Sequence, residues 1–221
     1  GIKRQGYFLE TDKKTQLDFI AVDPEGNRLK GKKIEIQIIR RHWESVRKAI
    51  TGGRFQWESK QIDDIIETKN ITTGVNPVAF AFTPKNSGLY IITARAKDSA
   101  NREVAADEYM YVIGKDYAAW AMFDDDLLEL ITEKEEYVPG EMARIMVKSP
   151  YENATALVTV EREFVIDSYV TNLEGSAALI EVPIKKEYLP NVYVGVSLVK
   201  GRVEDESYTN YATDEGKPSF K

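Results

Sequence analysis

A turn followed by alternating apolar and polar residues is the feature that most constrains this sequence, and it is clearest between residues 137 and 162. Pro139-Gly140 is typical of a turn, since proline fixes φ and glycine tolerates a positive φ. Apolar residues then recur at every second position over 143–147, until Ser149-Pro150 ends the run. A second run with the same period covers 156–161. The stretch therefore predicts two consecutive, half-buried strands.

Similar runs occur along the whole chain. The clearest is Lys33–Arg41, where isoleucine stands at 34, 36 and 38, and others lie at 17–21, 78–82 and 90–96. Lys185–Leu189 predicts a single helical turn, and no longer segment has a convincing amphipathic helical pattern. Short strands separated by turn residues every ~8 to 12 positions predict an all-β protein made of antiparallel sandwiches.

The second half of the chain repeats the plan of the first. Ile34-x-Ile36-x-Ile38 corresponds to Ala156-x-Val158-x-Val160 at a shift of 122, whereas the later strands correspond at a shift of about 102. Repeats of about 100 residues are tandem domains, since solenoid repeats run only ~20 to 50 residues. We predict two tandem seven-stranded antiparallel β-sandwiches with a linker between them and a tail that leads into a further domain. The sandwiches cover 1–114 and 127–212, the linker 115–126 and the tail 213–221. The residues predicted to face the two cores are Ile34, Ile36, Ile38, Phe80, Phe82, Tyr90 and Ile92 in the first domain, and Ile145, Val147, Val158, Val160, Val182, Val194 and Val196 in the second.

The difference of about 20 between the two shifts places an insertion in the first domain. We predict that residues 42–60 form an extended hairpin around Gly52-Gly53, with Trp43 and Trp57 paired across its strands. A helix over 44–50 remains an alternative, because this stretch contains good helix formers. An isolated two-stranded ribbon is marginal in water, so the hairpin has to lean on its own domain or on a neighbour. We expect an interdomain contact in a longer parent protein.

The residues needed for catalysis or metal binding are scarce. The chain has no cysteine, which excludes disulfides, zinc–thiolate sites and cysteine nucleophiles. His42 is the one histidine, and neither a catalytic triad nor a helical zinc motif can be built around it from its neighbours. Asp124-Asp125-Asp126 could bind calcium through carboxylate oxygens, but a solvated linker is the favoured interpretation. We predict no catalytic, cofactor-binding or metal-binding residues.

Charge is distributed unevenly. Residues 1–114 carry 19 Lys+Arg against 15 Asp+Glu, and residues 115–221 carry 11 against 21. The basic residues lie on alternating strands and a turn, so nucleic-acid binding is disfavoured. No apolar run approaches the roughly 20 residues that span a bilayer.

Aromatic residues could indicate a sugar-binding surface, since the chain has 12 Tyr and 3 Trp. A carbohydrate-binding module would carry an exposed row of aromatic rings on one sheet face. Tyr90, Tyr109, Tyr111 and Tyr193 lie in strand patterns, and we predict that these four rings fill the cores.

Several motifs in the second half resemble the macroglobulin domains of bacterial alpha-2-macroglobulin-like proteins. They are Tyr137-x-Pro139-Gly140-Glu141, Ser149-Pro150, Val158-Thr159-Val160-Glu161-Arg162 and Pro190-Asn191-Val192-Tyr193-Val194. The first half adds Val22-Asp23-Pro24-x-Gly26, Arg41-x-Trp43-x-Ser45-Val46 and Gly88-x-Tyr90.

The resemblance implies two macroglobulin-type, fibronectin-III-like domains without the thioester region of the family. It implies a non-catalytic scaffold in a periplasmic or cell-surface protein, often lipid-anchored, that entraps proteases once they cleave a bait segment. Its partners are then neighbouring domains of the parent chain and the trapped proteases, with no cofactor, no nucleic acid and no membrane contact by this segment. No bait segment can be assigned from the sequence. A carbohydrate-binding or adhesin-type sandwich is the alternative function.

Overall fold

A computed structural model describes residues 1–201 and 219–220. The described part is almost entirely β-structure, with one 3₁₀ turn at Lys186–Tyr188, where a helical turn was predicted. The strands are β1 (Ile2–Arg4), β2 (Phe8–Glu10), β3 (Thr15–Phe19), β4 (Lys33–Ile50), β5 (Arg54–Thr72), β6 (Val78–Phe82), β7 (Gly88–Lys97), β8 (Glu103–Ile113), β9 (Leu130–Thr132), β10 (Met142–Lys148), β11 (Asn153–Glu161), β12 (Val165–Glu174), β13 (Ala177–Pro183), β14 (Tyr193–Lys200) and β15 (Ser219–Phe220).

The strands form two compact units, one over residues 1–114 with 118–123, the other over 115–117 with 124–221. The first unit has a three-stranded sheet, β1-β3-β6, and a five-stranded sheet, β2-β8-β7-β4-β5. The second unit has the sheets β13-β10-β9 and β12-β11-β14-β15. The predicted all-β class is confirmed. The prediction of seven strands is wrong for the first unit, because the short β2 adds an eighth by pairing in parallel with β8.

The core of the first unit lies between its two sheets. The residues predicted to face inward are all buried there, namely Ile34, Ile36, Ile38, Phe80, Phe82, Tyr90 and Ile92. Because side chains alternate along a strand, one face of β4 fills the core and the other turns outward. The inward prediction is therefore confirmed for this unit.

The second unit has a separate core. Ile145, Val147, Val158, Val160 and Val182 are buried in it as predicted, and Val194 and Val196 pack against it while remaining half-buried.

A tight turn leads into this second core, as predicted. Gly140 has a φ of 97°, and the Glu141 N–H donates to the Val138 carbonyl at 3.1 Å. The Glu141 carboxylate accepts from the Val138 N–H at 3.0 Å, which fixes the turn at the start of β10.

The dominant feature of the first unit is the hairpin of β4 and β5. Its strands have 18 and 19 residues, about twice the 9 and 10 of β11 and β12, the equivalent pair in the second unit. Thr51, Gly52 and Gly53 connect Ile50 to its partner Arg54, and both glycines have positive φ. Residues 44–50 lie in strand β4, so the helix alternative is wrong. The doubled hairpin accounts for the insertion inferred from the repeat.

Two expectations about this region need correction. Trp43 lies opposite Gln61 and Trp57 lies opposite Arg47, so the two tryptophans do not pair. The turn fixes this register, because it makes Ile50 and Arg54 the first cross-strand pair, and every later pair lies one residue further from the turn on each strand. The predicted linker 115–126 is also divided, since residues 118–123 belong to the first unit.

Within the described ranges, no helix has the length and apolar character required to cross a membrane. The predicted tail, 213–221, lies outside the described residues except for the two residues of β15.

Candidate functional site

The segment 118–123 packs against the outer face of the five-stranded sheet at the base of the hairpin. Trp120 is only 6% exposed, and its ring centroid lies 6.4 Å from those of both Trp43 and Tyr111. The Trp43 N–H donates to the Ala119 carbonyl at 3.0 Å, so the segment extends the backbone hydrogen bonding of β4. This contact gives the hairpin the support within its own unit that an isolated ribbon lacks.

Two serines continue this support along the hairpin. Ser45 and Ser59 are directly paired, and their Oγ atoms lie 2.8 Å apart. The Met122 N–H donates to Ser59 Oγ at 2.9 Å, and the Ser59 hydroxyl donates to the Met122 carbonyl at 3.0 Å. Both backbone groups of Met122 are therefore satisfied by the hairpin.

An ion pair joins the two hairpin strands on the same face. Arg41 Nε and Nη2 donate to the two carboxylate oxygens of Asp63 at 2.7 and 2.8 Å. The hydrogen bonds from Arg41 lower the pKa of Asp63, and the bonds to Asp63 raise the pKa of Arg41. Two parallel bonds give this pair a defined geometry that a single contact does not.

Beyond the paired serines, the hairpin ends in a segment that we call the hairpin tip, residues 46–58. Directly paired residues lie on one face of a ribbon. Val46 and Ile50 share one face, where Lys48 Nζ lies 2.9 Å from Glu58 Oε2. Phe55 and Trp57 share the other face, with the Arg47 guanidinium 5.4 and 5.8 Å from their ring centroids.

The structure places His42 beside a carboxylate on the neighbouring strand. Its Nδ1 is buried and lies 3.4 Å from Asp64 Oδ2, within ion-pair distance but without hydrogen-bond geometry. Ser45, the nearest serine along β4, points to the opposite face of the ribbon, because it lies an odd number of positions away. No Ser-His-Asp arrangement can form from these residues.

Carboxylates also fail to assemble into a metal site in the described part of the chain, where no group of three or more His, Cys, Asp or Glu could hold an ion. Asp125 Oδ1 instead accepts the Leu127 N–H at 3.1 Å, which is a local turn contact.

The predicted core positions of the tyrosines are only partly correct. Tyr90 is buried in the first core and donates its hydroxyl to the Asn86 carbonyl at 2.9 Å. The prediction is wrong for the other three. Tyr111 is half-buried near Trp120 on the outer face of the sheet, and Tyr109 and Tyr193 are 52% and 66% exposed at outward positions of β8 and β14.

These two exposed rings lie in different units, each on a sheet of its own unit. The feature required of a carbohydrate-binding face is therefore not built from the tyrosines that the sequence singled out.

Two family models match the chain. The model of bacterial macroglobulin domain 6 matches residues 1–110, and the model of the alpha-2-macroglobulin bait region domain matches residues 128–217. The second match concerns the part of the chain where the sequence alone assigned no bait segment, and its model is that of a bait region domain. Turn and strand patterns carry no signal for such a domain, so this match could not be predicted from them.

The chain is similar to an alpha-2-macroglobulin homolog of Nostoc sp., with 28% identity over 197 residues. That match covers 89% of this chain and 10% of the relative. An alpha-2-macroglobulin of Pasteurella multocida is 23% identical over 203 residues, which cover 92% of this chain and 10% of the relative. The chain thus spans about a tenth of the length of these curated relatives.

Two solved structures are also similar. The match to Salmonella alpha-2-macroglobulin reacted with methylamine covers 100% of this chain and 14% of the Salmonella chain, with 14% identity and a TM-score of 0.44. The match to the native conformation of E. coli alpha-2-macroglobulin covers 97% of this chain and 13% of the E. coli chain, with 14% identity and a TM-score of 0.42.

Proposed function

Since the chain is a segment of a bacterial alpha-2-macroglobulin-like protein, we propose that its two units are non-catalytic scaffold domains of a broad-spectrum inhibitor that entraps attacking proteases. The observation that carries this proposal is the order of the two matches, a macroglobulin domain at 1–110 followed by a bait region domain at 128–217.

The internal construction of the units supports a scaffold role. Each unit buries its own apolar core between two sheets, so each can hold its shape without a ligand. In the described residues, His42 lies beside Asp64 while Ser45 points to the opposite face of the ribbon, and the carboxylates form no metal cluster. Binding and positioning are what such units can supply.

The bait region match extends the proposal to the second unit. On this proposal, the segment that proteases cut lies within residues 128–217, the range that the bait region domain model matches. Ile145 and Val158 lie in regular, hydrogen-bonded strands, so we expect cuts between strands rather than within the core of this unit.

The partners follow from this role. They are the neighbouring domains of the parent chain and the proteases that the whole protein traps, with no nucleic acid and no membrane contact by this segment. The parent protein works in the periplasm or at the cell surface, where foreign proteases arrive, and is held there as a lipoprotein.

The test compares the parent protein with the 221-residue chain, using proteases of trypsin-like, chymotrypsin-like and elastase-like specificity. A trapped protease keeps its active site but cannot reach large substrates. The parent should therefore strongly reduce hydrolysis of a large protein substrate while hydrolysis of a small peptide substrate continues, and the 221-residue chain alone should reduce neither. Loss of protease activity caused by this chain alone would contradict a purely structural role.

A further inference from the structure

We propose that the hairpin tip docks into a cleft on another domain of the parent chain, a cleft lined by apolar side chains and rimmed by carboxylates. This inference rests on the proposed function only in requiring that the chain is part of a longer protein. It specifies the interdomain contact expected of the hairpin and places it at the tip rather than at Trp43, which packs against Trp120 within the first unit.

Both faces of the hairpin tip carry exposed apolar side chains. Val46 and Ile50 are 60% and 43% exposed on one face, and Phe55 is 55% exposed on the other. A ribbon that lies on a flat surface covers only one of its faces. Apolar groups on both faces favour a cleft that encloses the tip.

The charge of the hairpin tip identifies the chemistry of the cleft. The tip carries three cations, Arg47, Lys48 and Arg54, and one acidic residue, Glu58, which is paired with Lys48. Arg47 lies over Phe55 and Trp57, so a carboxylate that approaches it would also meet the rings. Carboxylates at the rim of the cleft would complement these cations and fix the orientation of the tip.

The base of the hairpin is fixed before any partner binds. The contacts of Trp43 with Trp120, and of Ser59 with Met122, hold the ribbon up to Ser45 and Ser59. Beyond Ser45, β4 continues to Ile50, or about 16 Å at the rise of a strand. The tip is thus a preorganised projection, which lowers the entropy lost on docking.

The small size of the hairpin tip indicates that its binding partner is a domain of the same chain rather than a separate protein. Residues 46–58 are fewer than the ~20–30 residues that each partner contributes to a standard interface between separate proteins. A covalent connection supplies an effective concentration on the order of millimolar, which allows so small a surface to stay bound. The curated relatives are about ten times longer than the matched segment, which leaves many domains that could provide the cleft.

Thiol labelling tests the proposal, because the chain has no cysteine of its own. Phe55→Cys and Ile50→Cys report on the two faces of the tip, and Val22→Cys is the control at a site of the same unit that is 48% exposed. Each variant is treated with a maleimide in the 221-residue chain and in the parent protein, and labelled peptides are quantified by mass spectrometry. In the parent protein we expect labelling at positions 50 and 55 to slow by about tenfold or more, as for a site that is ~90% docked. Labelling at position 22 should stay nearly unchanged.

A charge-reversing pair of substitutions, Arg47→Glu with Arg54→Glu, should restore rapid labelling at position 55 in the parent protein. Equal labelling rates at positions 50 and 55 in the parent protein and in the 221-residue chain would overturn the proposal. Protection that appears in the 221-residue chain and disappears on dilution would assign the tip to a second copy, and protection that requires an added protein would assign it to a separate partner. Either of these results overturns the choice of occupant.

Protease inhibition by the same parent sample separates the two proposals. An inhibitory parent protein with a reactive thiol at position 55 contradicts only the docking of the hairpin tip. A parent protein that does not inhibit contradicts the proposed function, whatever the labelling rate.

Discussion

Trp43 in β4 and Trp120 in the segment after β8 lie with their ring centroids 6.4 Å apart and their planes inclined by 40°. The two residues are far apart in the chain. Their contact joins the base of the long hairpin to the segment 118–123 and covers part of the outer face of the five-stranded sheet. The hairpin is therefore supported by its own unit.

Replacement of Trp120 by alanine should destabilise the first unit by about 3–5 kcal/mol, because it removes a buried aromatic side chain from between Trp43 and Tyr111. The free energy of unfolding, measured by urea titration with far-UV circular dichroism, checks this. Phe123→Ala is the matched control in the same segment, where the side chain is exposed, and should cost less than about 0.5 kcal/mol. Equal effects of the two substitutions would show that the segment does not support the sheet.

Truncation of a core side chain should strongly reduce the free energy of unfolding in both units. Ile36→Ala and Val158→Ala each leave a cavity between the sheets and should cost about 2 to 5 kcal/mol. Ile65→Ala on the neighbouring strand β5 and Leu157→Ala on the same strand as Val158 change exposed side chains and serve as controls. A loss of less than half a kilocalorie per mole at Ile36 or Val158 would be incompatible with the observed packing.

The sequence predicted the strands whose apolar residues alternate without interruption. Ile34, Ile36 and Ile38 face a core, so their period is visible. Strand β5 was only partly predicted, because its Ile65 and Ile66 are adjacent and exposed, at the point where the register with β4 shifts. A β-bulge breaks the period of two from which a strand is predicted.

Contacts between residues that are far apart in the sequence could not be predicted. Residues 118–123 have no strand or helix period, and a sequence pattern carries no information on which surface such a segment covers. The same limit explains the wrong pairing of Trp43 with Trp57, since their positions about the glycine turn suggested proximity while the register places each opposite another residue. Tyr109 and Tyr193 were assigned to the cores because strand propensity does not identify the buried face.

The Arg41–Asp63 pair should make the stability of the first unit depend on pH in the acid range. Arg41 holds the pKa of Asp63 below its usual value of 3.8 in the folded state. Its stabilisation is therefore complete above about pH 5 and is lost as the pH falls below about 4, through the folded-state pKa. Because the pair is partly exposed, we expect a contribution of about 0.5–1 kcal/mol.

Unfolding titrations of Asp63→Asn, Arg41→Gln and the double variant across the acid range up to neutral pH measure this contribution. Each single variant should lose the acid-dependent part, and the double variant should lose little more than either one. Additive effects of the two substitutions would contradict a direct coupling between these side chains.

Gly195 in β14 should not tolerate a larger residue. A Cβ atom at this position would lie 2.6 Å from Thr159 Oγ1 on the neighbouring strand β11. Gly195→Ala should therefore destabilise the second unit by about 1–3 kcal/mol through steric conflict. Thr159→Ala removes the conflicting oxygen, so the double variant should recover most of the loss, and failure to recover it would mean that the cost has another source.

Cleavage mapping in the parent protein tests the central claim most directly. Proteases of trypsin-like, chymotrypsin-like and elastase-like specificity are added in turn below equimolar ratio, and the first cuts are located by mass spectrometry. If this chain combines a macroglobulin domain with a bait region domain, the first cuts by all three proteases should fall within residues 128–217, ahead of any cut in residues 1–110. First cuts that fall in residues 1–110, or outside the chain altogether, would contradict the account.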